Sequence, residues 1–128
     1  MTKLVAQSNI STIERLIRTV RRERIILDSD LAKLYGTETK VLVQAIKRNF
    51  NRFPKDFMFQ LTRGEFDSLR SQIVTSKGRG GRRHLPYAFT EHGVIMAANI
   101  LNSERAVQVS VHISSRIRPV APNAISEF

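Results

Sequence analysis

Residues 28–49 read DSDLAKLYGTETKVLVQAIKRN, two short amphipathic segments joined at Gly36. Leu31, Leu34 and Tyr35 share one face of the first segment at helical spacing, and Leu42, Ala45 and Ile46 share one face of the second. Asp28 or Ser29 stands where a side chain accepts hydrogen bonds from the free amides that open a helix, and Thr37 or Thr39 stands there for the second. The sharp turn falls on Gly36, which takes a left-handed backbone without a Cβ penalty. Ala32 is small enough to let the second helix come close. The spacing resembles the helix-turn-helix of DNA-binding proteins, with Thr37 where a branched apolar residue commonly follows the glycine. Similar helix pairs occur in all-α proteins that never meet nucleic acid, so the rest of the chain has to decide.

The chain has 128 residues, which suits one domain with its own core. Hydrophobic residues make up 41% and charged residues 25%, the balance of a globular domain rather than a disordered one. No apolar run reaches the length of a membrane span, and MTKLVAQSN lacks the apolar centre of a signal peptide, so the expected location is the cytoplasm, with no membrane partner. The absence of Cys excludes disulfides, a thiolate zinc site and a cysteine nucleophile. Lys plus Arg number 21 against 11 for Asp plus Glu, a net charge of +10. The excess is local: residues 31–90 hold twelve basic and four acidic residues, whereas residues 91–128 hold three of each. A basic excess confined to part of a domain is the footprint of a polyanion-binding surface, although an acidic protein or an anionic lipid surface would also suit it.

Around the helix pair the pattern mixes strands and helices. Residues 1–11 read as a loose leader. Residues 12–27, TIERLIRTVRRERIIL, fit two short strands with the turn at Arg21 to Glu23, and a helix from Ser11 to Arg22 fits nearly as well; their arginines and glutamates suggest a solvated face. Pro54 forces the second helix to stop before it. Phe57, Phe59 and Leu61 alternate as one face of a strand, which commits the aromatics to the core and counts against RNA or single-strand binding. Thr62 and Glu65 form a capping box for a helix that buries Phe66, Leu69 and Ile73. Residues 75–86, TSKGRGGRRHLP, make a cationic glycine-rich loop that suits phosphates or a minor groove but lacks the Gly-Lys-Ser/Thr of a P-loop. Residues 85–89 read as a strand. Thr90 then caps a helix to Leu101 that buries Val94, Ile95, Ala98 and Leu101. Ser103 is placed to cap the next segment, where Val107, Val109, Val111 and Ile113 alternate as in a strand. Pro119 and Pro122 suggest a flexible tail over residues 114–128, leaving residues 12–113 as the domain.

Catalytic chemistry finds no foothold in this pattern. His84, His92 and His112 show no metal-ligand spacing, and Glu91-His92 fits a helix cap better than an acid/base pair. No serine sits in a nucleophile elbow, and Asp28, Asp30, Asp56 and Asp67 form no carboxylate motif for a divalent metal. Neither an enzyme, a metal nor a cofactor is expected.

LDSDLAKLYG, KRNFNRFPKDFMFQLT, GGRRHLPYAFTEHGVIMAANIL and SERAVQV, in that order, resemble the phage ORF-six N-terminal domain family, related to the KilA-N and Bro-N modules. The resemblance spans roughly residues 12–112. It implies a small α+β DNA-binding domain, a helix-turn-helix-like pair packed on short antiparallel strands, often found in phage antirepressor-like or regulatory proteins. It also makes the SERAVQV block helical, against the local strand pattern, and the helix is the expectation adopted for this segment. After that block the chain departs from the family, running into HISSRIRPVAPNAISEF where members usually continue as a longer apolar helix.

If Leu42, Ala45 and Ile46 face the core, then Thr39, Lys40, Val43, Gln44 and Lys47 face outward. Gln44 is the candidate base reader, since its amide pairs bidentately with adenine, and Val43 suits a thymine methyl. Lys40, Lys47, Arg48 and Arg52 would hold phosphates, while Lys77, Arg79, Arg82 and Arg83 of the loop would follow the flanking backbone or minor groove. The expected partner is double-stranded DNA. The alternative is a protein-interaction module that occupies a repressor or another acidic protein, and a homodimer stays open.

Overall fold

Ile25, Ile26 and Leu27 are all buried. Successive side chains of an extended strand point to opposite faces, so this strand must be covered on both sides. The computed structural model, which describes residues 12–72 and 84–118, shows that cover. Its elements in chain order are α1 (helical over residues 12–16), β1 (Arg18–Val20), β2 (Glu23–Leu27), α2 (Asp28–Tyr35) and α3 (Thr39–Arg48). A 3-10 turn (Phe50–Arg52), β3 (Met58–Gln60), α4 (Arg63–Gln72), β4 (Tyr87–Phe89), α5 (Glu91–Leu101) and α6 (Glu104–Ile117) complete it. The strands form an antiparallel sheet in the order β1-β2-β4-β3, with Ile26 and Met58 both opposite Phe89. The fold is α+β, as expected.

Ile26, Met58 and Phe89 face the larger core, which takes in Leu31, Leu42, Ile46, Val94, Ala98, Ile113 and Ile117 from the helices. Ile25, Leu27 and Ala88 face a smaller core closed by Leu61 and by Leu69 of α4. Phe53 meets Phe89 edge to face, with ring centroids 6.3 Å apart.

The region 12–27 combines both readings of its sequence: a helical turn comes first, and a hairpin follows whose turn is Arg21 and Arg22. Phe57, Phe59 and Leu61 do not share one face. Phe57 joins Met58 against the helical core while Phe59 and Leu61 pack toward α4, because the strand begins only at Met58. The capping box is present, with Glu65 N–H donating to Thr62 Oγ1 and Thr62 N–H donating to Glu65 Oε1. Ile73 lies outside the described residues, as does the leader.

The valine alternation folds as α6. Ala106, Ser110, Ile113, Ser114 and Ile117 form its buried stripe, and Val107 and Val111 point outward. The Ser103 hydroxyl accepts from Ala106 N–H and starts it. The helix continues past residue 113, where the domain was expected to end, because Ser114 and Ile117 still pack inward; Arg118, extended at φ −58° and ψ 136° before Pro119, ends it. Ile95, expected inside, is exposed, and α5 instead turns Val94, Ala97 and Ala98 to the core. Gly93 allows α5 to lie on the β3 approach, since a Cβ there would overlap the Phe57 carbonyl oxygen. Among the described residues, no helix is long and apolar enough to cross a membrane.

Candidate nucleic-acid interface

The helix pair forms as its periodicity dictates. Leu31, Leu34, Tyr35, Leu42 and Ile46 are buried, and Ala45 is half-buried. Gly36 turns the chain at φ 75°, with its own N–H donating to Lys33 O and the Thr37 N–H donating to Ala32 O. The caps differ from expectation. Leu27 and Glu38 occupy the N-cap positions and neither makes a side-chain cap bond. The buried Asp28 carboxylate instead accepts the Tyr87 N–H at 3.1 Å, which fastens the entry of β4 to the first helix of the pair. Thr90 likewise gives its hydroxyl to the Asp56 and Phe57 carbonyls rather than to the start of α5.

Buried or tight contacts hold the pair from behind. Tyr35 donates its hydroxyl to Val94 O at 2.8 Å, and burial pushes its phenol well above the usual range, so it stays a neutral donor. Arg105 Nε donates to Leu34 O at 3.2 Å, putting a cation at the C-terminal end of α2, where carbonyl oxygens gather. Burial also raises the Asp30 carboxyl, against the pull of Lys33 and Arg18.

The outward side of α3 carries Thr39, Lys40, Val43, Gln44, Lys47 and Arg48; Lys40, Gln44, Lys47 and Arg48 are exposed, while Thr39 and Val43 are half-buried. Arg52 is exposed on the 3-10 turn that follows. None of Lys40, Lys47, Arg48 and Arg52 has an ion-pair partner among the described residues, whose ion pairs involve Arg21, Arg116 and Arg118 elsewhere. A cleft of ≈ 360 Å³ opens beside this face. Thr39, Lys40, Val43 and Lys47 of α3 line it together with the Asp28 carboxylate of α2, Gln60 of the edge strand, and His84, Leu85 and Tyr87 at the entry to β4. Gln60 Nε2 donates to Leu85 O at 2.9 Å and so ties the edge strand to that entry. Gln44, Arg48 and Arg52 sit outside the cleft. Lys77, Arg79, Arg82 and Arg83 lie outside the described residues; the chain re-enters at His84, in the cleft wall.

Two residues escaped the sequence reading. Gln60 could have been found from the alternation that puts Met58 inside. Phe50, 53% exposed between Arg48 and Arg52, corrects the expectation that the aromatics are committed to the core, and its place between two asparagines outside any apolar period was the available signal. No group of three or more His, Asp or Glu among the described residues is arranged to hold a metal ion.

The family model of the ORF6N domain matches residues 15–100, well over half of the chain. That match covers the sheet, the helix pair, the cleft and nearly all of α5. The chain belongs to the ORF6N domain family, a phage-type family. No curated protein and no solved structure matches it.

Proposed function

We propose that the chain is a duplex-DNA-binding module of phage or prophage regulation, antirepression included, working in the host cytoplasm without catalytic chemistry of its own. The observation that carries this reading is the cationic face of α3, whose charges form no ion pair among the described residues although the Asp28 carboxylate lines the same cleft. Lys40, Lys47 and Arg48 stand exposed with no acidic partner among the described residues, on the second helix of a helix-turn-helix and beside a cleft. Proteins usually intersperse surface charges of both signs, whereas a run of unpaired cations at one helix suits a polyanion. In this reading α3 lies in the major groove. Gln44 reads a base, Val43 meets a thymine methyl, and Lys40, Lys47, Arg48 and Arg52 hold phosphates. The loop cations Lys77, Arg79, Arg82 and Arg83 add flanking contacts.

The test is a salt titration of binding to a random 30-base-pair duplex by fluorescence anisotropy. Binding should weaken with a log–log slope of roughly −0.9 per neutralised phosphate. Lys47→Ala should weaken every sequence alike and flatten the slope, while Gln44→Ala should relax preference at one position by about 1–3 kcal/mol. Identical behaviour of the two variants on all sequences would refute the recognition-helix assignment. No binding at low salt by the folded chain would refute duplex recognition and turn attention to a repressor or another acidic protein.

A further inference from the structure

The hairpin between β1 and β2 turns through two consecutive arginines in the left-handed region, Arg21 at φ 56° and Arg22 at φ 67°. A two-residue hairpin turn of this hand needs positive φ at both central positions, which Asn-Gly supplies with least crowding. For other L-residues the Cβ meets the following carbonyl, so two arginines here are an unfavourable choice. The first has a structural explanation. Arg21 donates through Nε and Nη2 to the Glu65 carboxylate at 2.8 and 3.1 Å, and its guanidinium lies 4.2 Å from the centre of the Phe59 ring. The second has none. Arg22 is exposed and makes no hydrogen bond or ion pair with any described residue. Backbone outliers of this kind gather where the side chain has work to do.

The position of the tip suggests that work. Arg21 Nη2 also approaches the main-chain oxygen of Gln60 at 3.5 Å. Gln60 is in turn a wall of the cleft that holds Lys40 and Lys47, so the tip, packed on the α4 side, stands one residue away from that cleft rather than in it. The Arg21–Glu65 pair and the stacking on Phe59 fix the turn against α4 and β3. Arg22 therefore extends from an anchored backbone, so binding has to order its side chain alone and not the turn beneath it.

We propose that Arg22 is a phosphate-binding residue, a second backbone contact to the duplex supplied by the hairpin tip and separate from α3. The inference rests on the duplex-binding reading above. Its test measures folding and binding together on the full chain, with the same random duplex. Arg22→Gly relieves the left-handed backbone, so the urea midpoint should hold or rise, while affinity falls about threefold to tenfold and the salt slope shallows by roughly 0.9. Arg22→Lys should keep the slope. Should the glycine variant fold poorly, Arg22→Asn, which tolerates this backbone, gives the same readout. Unchanged affinity and slope in Arg22→Gly, alongside weakened binding in Lys47→Ala, would overturn the proposal and leave duplex binding standing. A wild-type chain that binds no duplex at low salt would overturn both.

Discussion

The two faces of the sheet are held by different means. On the helical face the contacts are buried: Tyr35 reaches Val94 O inside the core, Gly93 lies against the Phe57 carbonyl, and Phe89, Ile113 and Leu42 have no solvent exposure. On the α4 face a smaller apolar cluster is supplemented by the Arg21–Glu65 pair, whose side chains keep 44% and 26% of their surface. Exposed pairs of this kind contribute about 0–1 kcal/mol, against about 2–5 kcal/mol for a well-packed core leucine. The helical face, which carries the helix pair, should therefore be the rigid body, and α4 a unit that opens first.

The sharpest way to break this contrast is Gly93→Ala. It drives a methyl into backbone that has nowhere to go, and should destabilise by more than about 3 kcal/mol in urea titration. Next comes a matched pair of truncations. Leu42→Ala should cost about 3–5 kcal/mol and Leu69→Ala about 2 kcal/mol, with native-state hydrogen exchange showing α4 amides less protected than those of α5. Equal costs and equal protection would erase the distinction. Tyr35→Phe should cost about 1 kcal/mol with the fold intact.

The smallest effects are acid titrations of opposite sign. Its hydrogen bonds from Arg21 and Thr62 hold the Glu65 carboxyl at about 2, below its ordinary 4.5. The folded state thus binds that proton more weakly than the unfolded chain. The stabilisation is present above pH 4.5 and disappears as pH falls toward 2, and Glu65→Gln should remove this acid dependence, worth under about 1 kcal/mol. Asp30 is displaced upward by burial, so its folded form favours the proton. That contribution is present below the ordinary pKa and is lost as pH rises through the folded value, and Asp30→Asn should flatten that limb of the stability profile.

Periodicity and glycine placement made the helix pair legible, because Leu31, Leu34, Tyr35, Leu42 and Ile46 bury by local spacing alone. The outward face of α3 followed from the same geometry. What failed to show in sequence was decided by partners far along the chain. Asp28 has the chemistry of a cap but is taken by Tyr87 N–H, 59 residues away. The run Val107, Val109, Val111 and Ile113 satisfies a period of two, so the helix found there was expected from the family resemblance and not from the local alternation; the buried serines at 110 and 114, with Ala106 and Ile113, mark the helical stripe. The hairpin turn was placed within a residue, but nothing in RR suggests a left-handed pair, since propensity argues against it.

Gly36 sits under two independent constraints. Its backbone is left-handed, and a side chain there would meet the Arg105 guanidinium, Nε and Cδ lying 3.0 and 3.1 Å from the added carbon. Divergence at these two positions should therefore be coupled. A relative that tolerates Asn at position 36 is expected to carry a shorter residue at position 105, and to have found another donor for the Leu34 carbonyl. Drift across the family would then leave a paired substitution linking the turn of the helix pair to the first turn of α6, between residues 69 apart in the chain.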